Sequence, residues 1–422
     1  MLTAVVGINW GDEGKGRMVD LLSSEYDIII RYQGGNNAGH TVVNDLGKFI
    51  LNLLPSGIIR SGKVNVMGPG MVIDVEHLVH EVRSLTERGL SITPERLKIS
   101  DKAAICMPYH KMLDVLEEDR LADKKFGSTR RGIAPVYADK YMKKVIRTGD
   151  LLFPDTLRQK VYGLVEWKNI TIRGYGRSDI SADEIYEWLI KYGMPFVPFI
   201  CDTTAYLNKS VEEGRSVLFE AQLGALRDID FGIYPYTTSS SAIAAYAPIG
   251  AGVPARRTEK VIGIMKAYSS CVGEGPFVCE YFGPEGDALR EAGSEYGAAT
   301  GRPRRVGAFD AVASRYGVMV QGATELALTK LDTLSGMKRL AVCTAYDING
   351  ELTTDFPADE RLNIAKPVYK YFEGFSGDIS GCRTFGELPQ AARDYVRFIE
   401  KEVGCRLSYI SVGADREAYI KL

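Results

Sequence analysis

The stretch TAVVGINWGDEGKGRMVD, residues 3–20, runs from an apolar segment through a glycine-rich turn into a mixed polar and apolar pattern. Its opening, Thr3–Ile8, is a continuous apolar run without alternation, the pattern of a strand covered on both faces in a parallel sheet. Gly11, Gly14 and Gly16 let successive backbone N–H groups converge, and Lys15 adds a point charge, so the turn reads as an anion cradle with phosphate as its guest. It is not the usual G-x-x-x-x-G-K-[ST] phosphate loop, because Asn9 stands at the first glycine and Gly16 follows the lysine. Asp12 and Glu13 occupy its tip, where a carboxylate beside phosphate suits Mg²⁺ coordination or proton removal during transfer. A tight surface turn with solvated charges would use the same residues.

Outward from this turn, short apolar runs recur with glycine close by: DIIIRY (27–32), VNVMGPG (64–70), VIGIM (261–265), LALTKLD (326–332), RLAVCTAY (339–346) and SYISVG (408–413). Between them lie helix-like stretches, VIDVEHLVHEVRSL (72–85), SADEIYEWLIKY (181–192) and LPQAARDYVRFIEKEV (388–403). The pattern predicts an α/β fold with a large, mostly parallel central sheet flanked by helices. Residues 105–205 are more charged and helical, interrupted by KKFGSTRRGIAPVYADK (124–140), which reads as loop. They are expected to form a helical insertion in a single unit spanning residues 1–422.

The chain of 422 residues can bury a sizeable core, and 52 basic against 54 acidic side chains leave no basic footprint for nucleic acid. Its seven cysteines are scattered without a C-x-x-C pair, suggesting reduced thiols rather than a disulfide framework or zinc site. No charged leader precedes the first strand and no apolar run reaches the ~18 residues of a membrane span. A soluble cytoplasmic protein is expected.

Further segments carry chemistry. RYQGGNNAGHTVV (31–43) ends a strand in glycines and amides and places His40 in a turn, where an imidazole can reach a ligand. His77 and His80 share a helix face, but no third ligand accompanies them and metal binding is not expected. In ALTKLDTL (327–334), Asp332 can accept two hydrogen bonds from N1–H and the 2-amino group of guanine, which would make the nucleotide GTP. Arg302, Arg304 and Arg305 in GAATGRPRRVGAFD (297–310) suit a carboxylate, and Ser128 and Thr129 in GSTRRGIAPVYADK (127–140) offer donors to another phosphate.

In this order the segments resemble the adenylosuccinate synthetases, which join L-aspartate to inosine monophosphate (IMP) using GTP. The resemblance runs through W-G-D-E-G-K-G, N-A-G-H-T, G-x-T-x-R-G-I-x-P-x-Y-x-D-K, D-I-D-x-G-x-Y-P-Y-x-T-S-S (228–240), T-G-R-P-R-R, T-K-L-D and ISVGADR (410–416). It implies a nucleotide site like that of the P-loop NTPases but without their standard motif. It also implies the reaction: Asp12 removes the N1 proton of IMP, O6 attacks the γ-phosphate of GTP, and the aspartate amine displaces phosphate from 6-phosphoryl-IMP. His40 would stabilise charge on the departing side, and Mg²⁺ would bridge GTP to Asp12 and the carbonyl of Gly39. The resemblance assigns GTP to Gly11, Glu13, Gly14, Lys15, Gly16, Gly39, His40, Thr41, Lys330, Asp332, Ser411 and Gly413. IMP falls to Asp12, Asn37, Thr129, Lys143, Gln222, Leu223, Thr238 and Arg302, and aspartate to Thr300, Arg302 and Arg304. A homodimer is implied, with Lys143 reaching across the interface to the IMP phosphate.

Departures from the family pattern gather on the IMP side. The usual E-G-A-Q-G is EAQLG (220–224), which puts Leu223 at the glutamine position with Gln222 beside it. Lys143 stands for an arginine and loses its planar fork, and Arg130 stands for a glycine and could supply a compensating phosphate contact. Asn9 replaces glutamine, Asn36 histidine, Ser241 asparagine and Ala308 tryptophan. These changes leave room for a paralogous GTP-dependent ligase with another purine acceptor. A GTP-binding regulator without catalysis is the remaining alternative. Asp12, His40 and the arginine loop together favour the enzyme, and Asp12 speaks against a related branch on guanine nucleotides that carries serine there.

Overall fold

The computed structural model describes residues 1–44, 47–297 and 301–422. Ten strands form the central sheet: β1 (Leu2–Gly7), β2 (Ile28–Arg31), β3 (Val64–Met67), β4 (Leu97–Ser100), β5 (Ile200–Cys201), β6 (Val217–Glu220), β7 (Lys260–Lys266), β8 (Glu325–Thr329), β9 (Leu407–Ser411) and β10 (Tyr419–Lys421). Their spatial order is β10-β9-β8-β7-β1-β6-β2-β3-β4-β5. Every neighbouring pair is parallel except β9 and β10. β1 sits mid-sheet between β6 and β7 and is buried along its whole length, as its unalternating sequence predicts.

Helices supply the covering layers. Leu78, Leu113, Val161 and Leu189, from helices Val75–Glu87, Pro108–Leu121, Pro154–Gly174 and Ala182–Gly193, pack with Leu97 and Ile99 of β4. Val396 and Ile399 of helix Gln390–Val403 pack with Leu326 and Leu328 of β8 and Ile410 of β9. All three helical expectations correspond to helices, starting within three residues of the first residue quoted in each case, at Val75, Ala182 and Gln390.

Two local expectations are corrected. RLAVCTAY is a strand, Arg339–Ile348, but it lies in a separate four-stranded sheet, pairing antiparallel with Lys366–Glu373 and parallel with Phe309–Asp310. The segment 124–140 is not loop throughout, because Ile133–Tyr141 is a helix. Ile133, Val136 and Tyr137 fall on one face and pack against Val72, Ala104 and Cys106, while Pro135 sits in the first turn, where its missing N–H costs nothing.

This topology gathers the chemistry at one edge. The residues after β1, β2, β6, β8 and β9 all emerge at the carboxyl ends of parallel strands, where open α/β sheets bind ligands.

Candidate active site

The turn after β1 closes through Gly11 (φ +104°) and Gly14 (φ +97°) and delivers helix α1, Lys15–Leu22. Asp12 at its tip is also left-handed (φ +60°), a conformation that costs a side-chain-bearing residue roughly 1 kcal/mol or more. Glu13 folds back inside the turn, accepting hydrogen bonds from the N–H groups of Asn9 (3.1 Å) and Gly11 (2.8 Å) and from Lys15 Nζ (2.7 Å). The carboxylate that sequence reading put at the tip is thus the internal brace of the turn, buried together with Lys15. The first backbone N–H groups of α1 have no intrahelical acceptor and form the open, positive end of the cradle.

His40 leads into the hairpin His40–Asn44 and Gly47–Leu51 and lies directly on α1. Gly16 permits this approach, since a Cβ there would stand 2.6 Å from His40 Cβ. Thr41 follows in the same hairpin, opposite Ile50, and Gly39 precedes it. The imidazole Nδ1 contacts Oε1 of Glu220, the last residue of β6. Glu220 also accepts from the Ser56 N–H (2.7 Å) and hydroxyl (2.6 Å). Burial drives His40 below its ordinary pKa although Glu220 pulls upward. Burial also disfavours the Glu220 carboxylate, but the His40 charge and hydrogen bond, the Arg31 guanidinium and the Ser56 hydroxyl together outweigh it and hold the carboxyl below its usual range. The ring is therefore neutral with its proton on Nδ1, and buried Nε2 has no partner among the described residues.

Asp12 meets the arginine loop. Its Oδ2 accepts from Arg304 Nε (2.9 Å), and Arg304 Nη1 donates to Glu295 Oε2 (2.8 Å). Glu295, fully buried, also takes Lys266 Nζ (2.6 Å) and the Tyr268 hydroxyl. Burial opposes its ionisation, yet Lys266 and then Arg304 pull the carboxyl down to about 2. Arg302 lies at the surface with Nη2 3.0 Å from Glu274. Thr300 lies outside the described residues.

The guanine candidates follow β8 and β9. Lys330 (φ +63°) donates to the Gly293 carbonyl at 2.9 Å, and Asp332 Oδ1 is buried without a partner among the described residues. Burial raises the Asp332 carboxyl against the pull of Lys330 and Arg17. Ser411 accepts from Arg17 Nη1 and donates to the Gly413 carbonyl (3.3 Å). Thr329, ending β8, donates to the Glu13 carbonyl at 2.7 Å, which ties this pocket to the phosphate turn.

The remaining candidates divide. Asn37 accepts from the Gly35 N–H (3.2 Å), and Thr238 Oγ1 is buried without a partner among the described residues. Gln222 is fully buried, its Nε2 committed to the Gly35 carbonyl (2.9 Å) and its own carbonyl to Gln33 Nε2 (2.8 Å). Leu223 is left-handed (φ +60°) and lies against the Asp12 turn, with its Cα 3.1 Å from where a Cβ on Gly11 would be. Thr129 and Lys143 are exposed at the surface. Arg130 is exposed as well, paired with Asp119 at 3.0 Å.

A family model described as adenylosuccinate synthetase matches residues 4–420. The chain belongs to the adenylosuccinate synthetase family. It is accordingly a ligase of purine biosynthesis, joining L-aspartate to IMP with GTP. It is 48% identical over 419 residues to "Adenylosuccinate synthetase 2" of Pseudoalteromonas translucida, covering 99% of this chain and 98% of that one. It is 46% identical over 416 residues to the adenylosuccinate synthetase of Lactococcus lactis subsp. lactis, covering 98% and 96%. The structure of fully ligated adenylosuccinate synthetase from Plasmodium falciparum superposes with a TM-score of 0.94 at 34% identity, covering 100% and 99% of the two chains. A cyanophage S-2L succinoaminodeoxyadenylate synthetase shares the fold, with a TM-score of 0.60 at 18% identity over 99% and 94%.

Within this adenylosuccinate synthetase family member, sequence reading gave no role to Glu220, Glu295 or Arg17. Glu220 carries a weak signal, a carboxylate closing the apolar strand VLFE, whereas Glu295 and Arg17 carry none. Of the histidine pair, His77 Nε2 contacts Asn52 Oδ1 (3.1 Å) and His80 is exposed. All seven cysteines are free. Cys279, Asp310 and Cys343 do cluster, but Asp310 already receives the Cys279 thiol (3.1 Å), the Tyr346 hydroxyl (2.6 Å) and the Ala313 N–H (2.9 Å).

Proposed function

We propose that Asp12 is the general base for N1 of IMP and His40 the stabiliser of the transferring phosphoryl group, with 6-phosphoryl-IMP as the intermediate. The observation that carries this is the seating of His40 on Gly16 at the open end of α1, in the turn that holds Lys15 and Asp12. Phosphates in that cradle meet unpaired N–H groups and the Lys15 ammonium. An anionic phosphate beside Nε2 supplies the charge that draws a proton onto His40, and the imidazolium is then held between phosphate and Glu220. Removing the N1 proton makes O6 a nucleophile, and phosphorylation turns a poor leaving group into one that the aspartate amine displaces.

Asp332, with its buried open oxygen, reads the N1–H and amino group of guanine, beside Lys330, Ser411 and Gly413. Arg304, Arg302 and Thr300 take the carboxylates of aspartate. Asn37, Thr129 and Thr238 hold the IMP phosphate, and Leu223 offers the purine an apolar contact in place of an amide. Asp12 has one carboxylate oxygen uncommitted among the described residues, and with the Gly39 carbonyl it provides the hard oxygen ligands that Mg²⁺ prefers. When bound there, Mg²⁺ neutralises phosphate charge during transfer. The protein acts as a cytoplasmic homodimer, with Lys143 of each subunit at the other's IMP phosphate. The strongly exposed Tyr141 (78%) and Met142 (56%) next to Lys143 support a covered surface, and no helix among the described residues is long and apolar enough to cross a membrane.

The test is Asp12→Asn. It should retain GTP binding while losing turnover by at least roughly 10²-fold, the usual range for a general base. Turnover near that of the parent enzyme would remove Asp12 as the base.

A further inference from the structure

Glu295 is the hub on which the arginine loop hangs. Its backbone carbonyl accepts the Arg304 N–H at 2.8 Å, and its carboxylate accepts Arg304 Nη1 at 2.8 Å, so both the main chain and the side chain of Arg304 are tied to one residue. The loop is pinned further by the Gly297 N–H to the Arg302 carbonyl (2.8 Å) and by a bridge between Tyr296 and Pro303. The other oxygen of Glu295 is clamped by Lys266 Nζ (2.6 Å) and the Tyr268 hydroxyl, which fixes it to the carboxyl end of β7. Lys266 in turn donates to Ser270 Oγ at 2.7 Å. Lys266, Tyr268 and Arg304 thus converge on a carboxylate with no exposed surface. Arg304 is committed at Nε to Asp12 and at Nη1 to Glu295, while its Nη2 carries no hydrogen bond among the described residues.

We propose that Glu295 is a positioning residue for the aspartate step: it holds Arg304 so that Nη2 faces the substrate carboxylate while Nε keeps the Asp12 carboxylate oriented. The proposal rests on the reading of Arg304 as an aspartate ligand. A guanidinium selects a carboxylate through its planar array of donors, and that selection requires the plane to be held before substrate arrives. Held at one edge by a buried carboxylate and at another by the base, Arg304 has little rotation left to lose on binding. The chain thereby connects the amine donor's site to the proton-abstracting group through a single side chain.

The experiment is steady-state kinetics of Glu295→Gln and Arg304→Gln, with KM measured separately for aspartate, IMP and GTP. Glu295→Gln keeps the shape but replaces one carboxylate oxygen by a donor. It should raise KM for aspartate at least about tenfold, the equivalent of one charge-assisted hydrogen bond, with the KM values for IMP and GTP within about twofold of the parent. The buried Lys266 ammonium loses its counter-charge in this variant, so the double variant Lys266→Met/Glu295→Gln is measured alongside. It should show the same rise in KM for aspartate with a recovered melting temperature. Glu295→Asp, which keeps the charge, should restore part of the aspartate affinity. If Arg304→Gln raises KM for aspartate but neither Glu295→Gln nor the double variant does, the positioning role is overturned and the Arg304 assignment stands. If Arg304→Gln also leaves KM for aspartate unchanged, the assignment itself fails and the proposal falls with it. Equal rises in all three KM values would mark Glu295 as a general structural residue and overturn the proposal.

Discussion

Replacing Glu220 with glutamine tests the phosphate end of the site by changing a single atom. The carboxylate receives His40 Nδ1 on one oxygen together with the Ser56 hydroxyl, and the Ser56 N–H on the other. Glutamine retains one acceptor oxygen, which the Ser56 N–H claims, and turns an N–H toward Nδ1. That reverses the tautomer: Nδ1 becomes the acceptor and Nε2 carries the proton. More important, an imidazolium formed against phosphate loses its counter-charge behind the ring. One charge-assisted hydrogen bond is worth about 1.5–3 kcal/mol, which at 1.36 kcal/mol per decade corresponds to a kcat lower by roughly 10- to 150-fold. Because the loss falls on the transferring phosphoryl group, KM for IMP and aspartate should change little. The assay is the absorbance change on adenylosuccinate formation, with the melting temperature measured in parallel to establish that the variant is folded. A folded Glu220→Gln enzyme with kcat within twofold of the parent would refute the role given to the His40–Glu220 pair.

Three other perturbations follow from the same geometry. Asp332→Asn presents an amide where guanine needs two acceptors, and should reduce the preference for GTP over ATP or ITP by at least roughly tenfold in kcat/KM; an unchanged preference would remove Asp332 from the base site. Gly16→Ala would put a Cβ 2.6 Å from His40 Cβ, so the hairpin must shift and kcat should drop by about tenfold or more while the fold survives, as read by circular dichroism. Glu81, buried beneath the N–H groups of Asn52, Leu53 and Leu54, is pushed up to about 7 by burial, although those bonds and Arg31 pull downward. A carboxyl raised in the folded state stabilises below its ordinary value of 4.5 and loses that stabilisation as pH rises through 7, a swing of about 3 kcal/mol. In urea unfolding, the stability of the parent minus that of Glu81→Gln should therefore shrink between pH 5 and pH 8.

The parts of the fold legible in the sequence were those governed by local chemistry. Thr3–Ile8 shows no alternation because both faces of β1 are covered, and Gly11, Gly14 and Gly16 are glycines because of backbone sign or because His40 sits on α1. What escaped was set by distant partners. RLAVCTAY reads like the central strands, yet its neighbours are Phe309–Asp310 and Lys366–Glu373, a choice that no property of the run itself encodes. Ile133–Tyr141 is short and carries a proline, and only its packing against Val72 and Cys106 makes it a helix. Glu295 looks like an ordinary surface glutamate in the sequence and Glu220 shows only its place at the end of an apolar strand; each becomes part of the site because folding brings three donors from elsewhere in the chain onto its carboxylate.

The central claim is that this chain couples GTP, IMP and L-aspartate in one site. Its most direct test is adenylosuccinate formation by the purified protein with GTP, Mg²⁺, IMP and L-aspartate, each omitted in turn, with deoxyguanylate tried in place of IMP. The account predicts product with IMP only when all four components are present, and none with deoxyguanylate. GTP binding without product from either nucleotide, or product that forms with deoxyguanylate and not IMP, would contradict it.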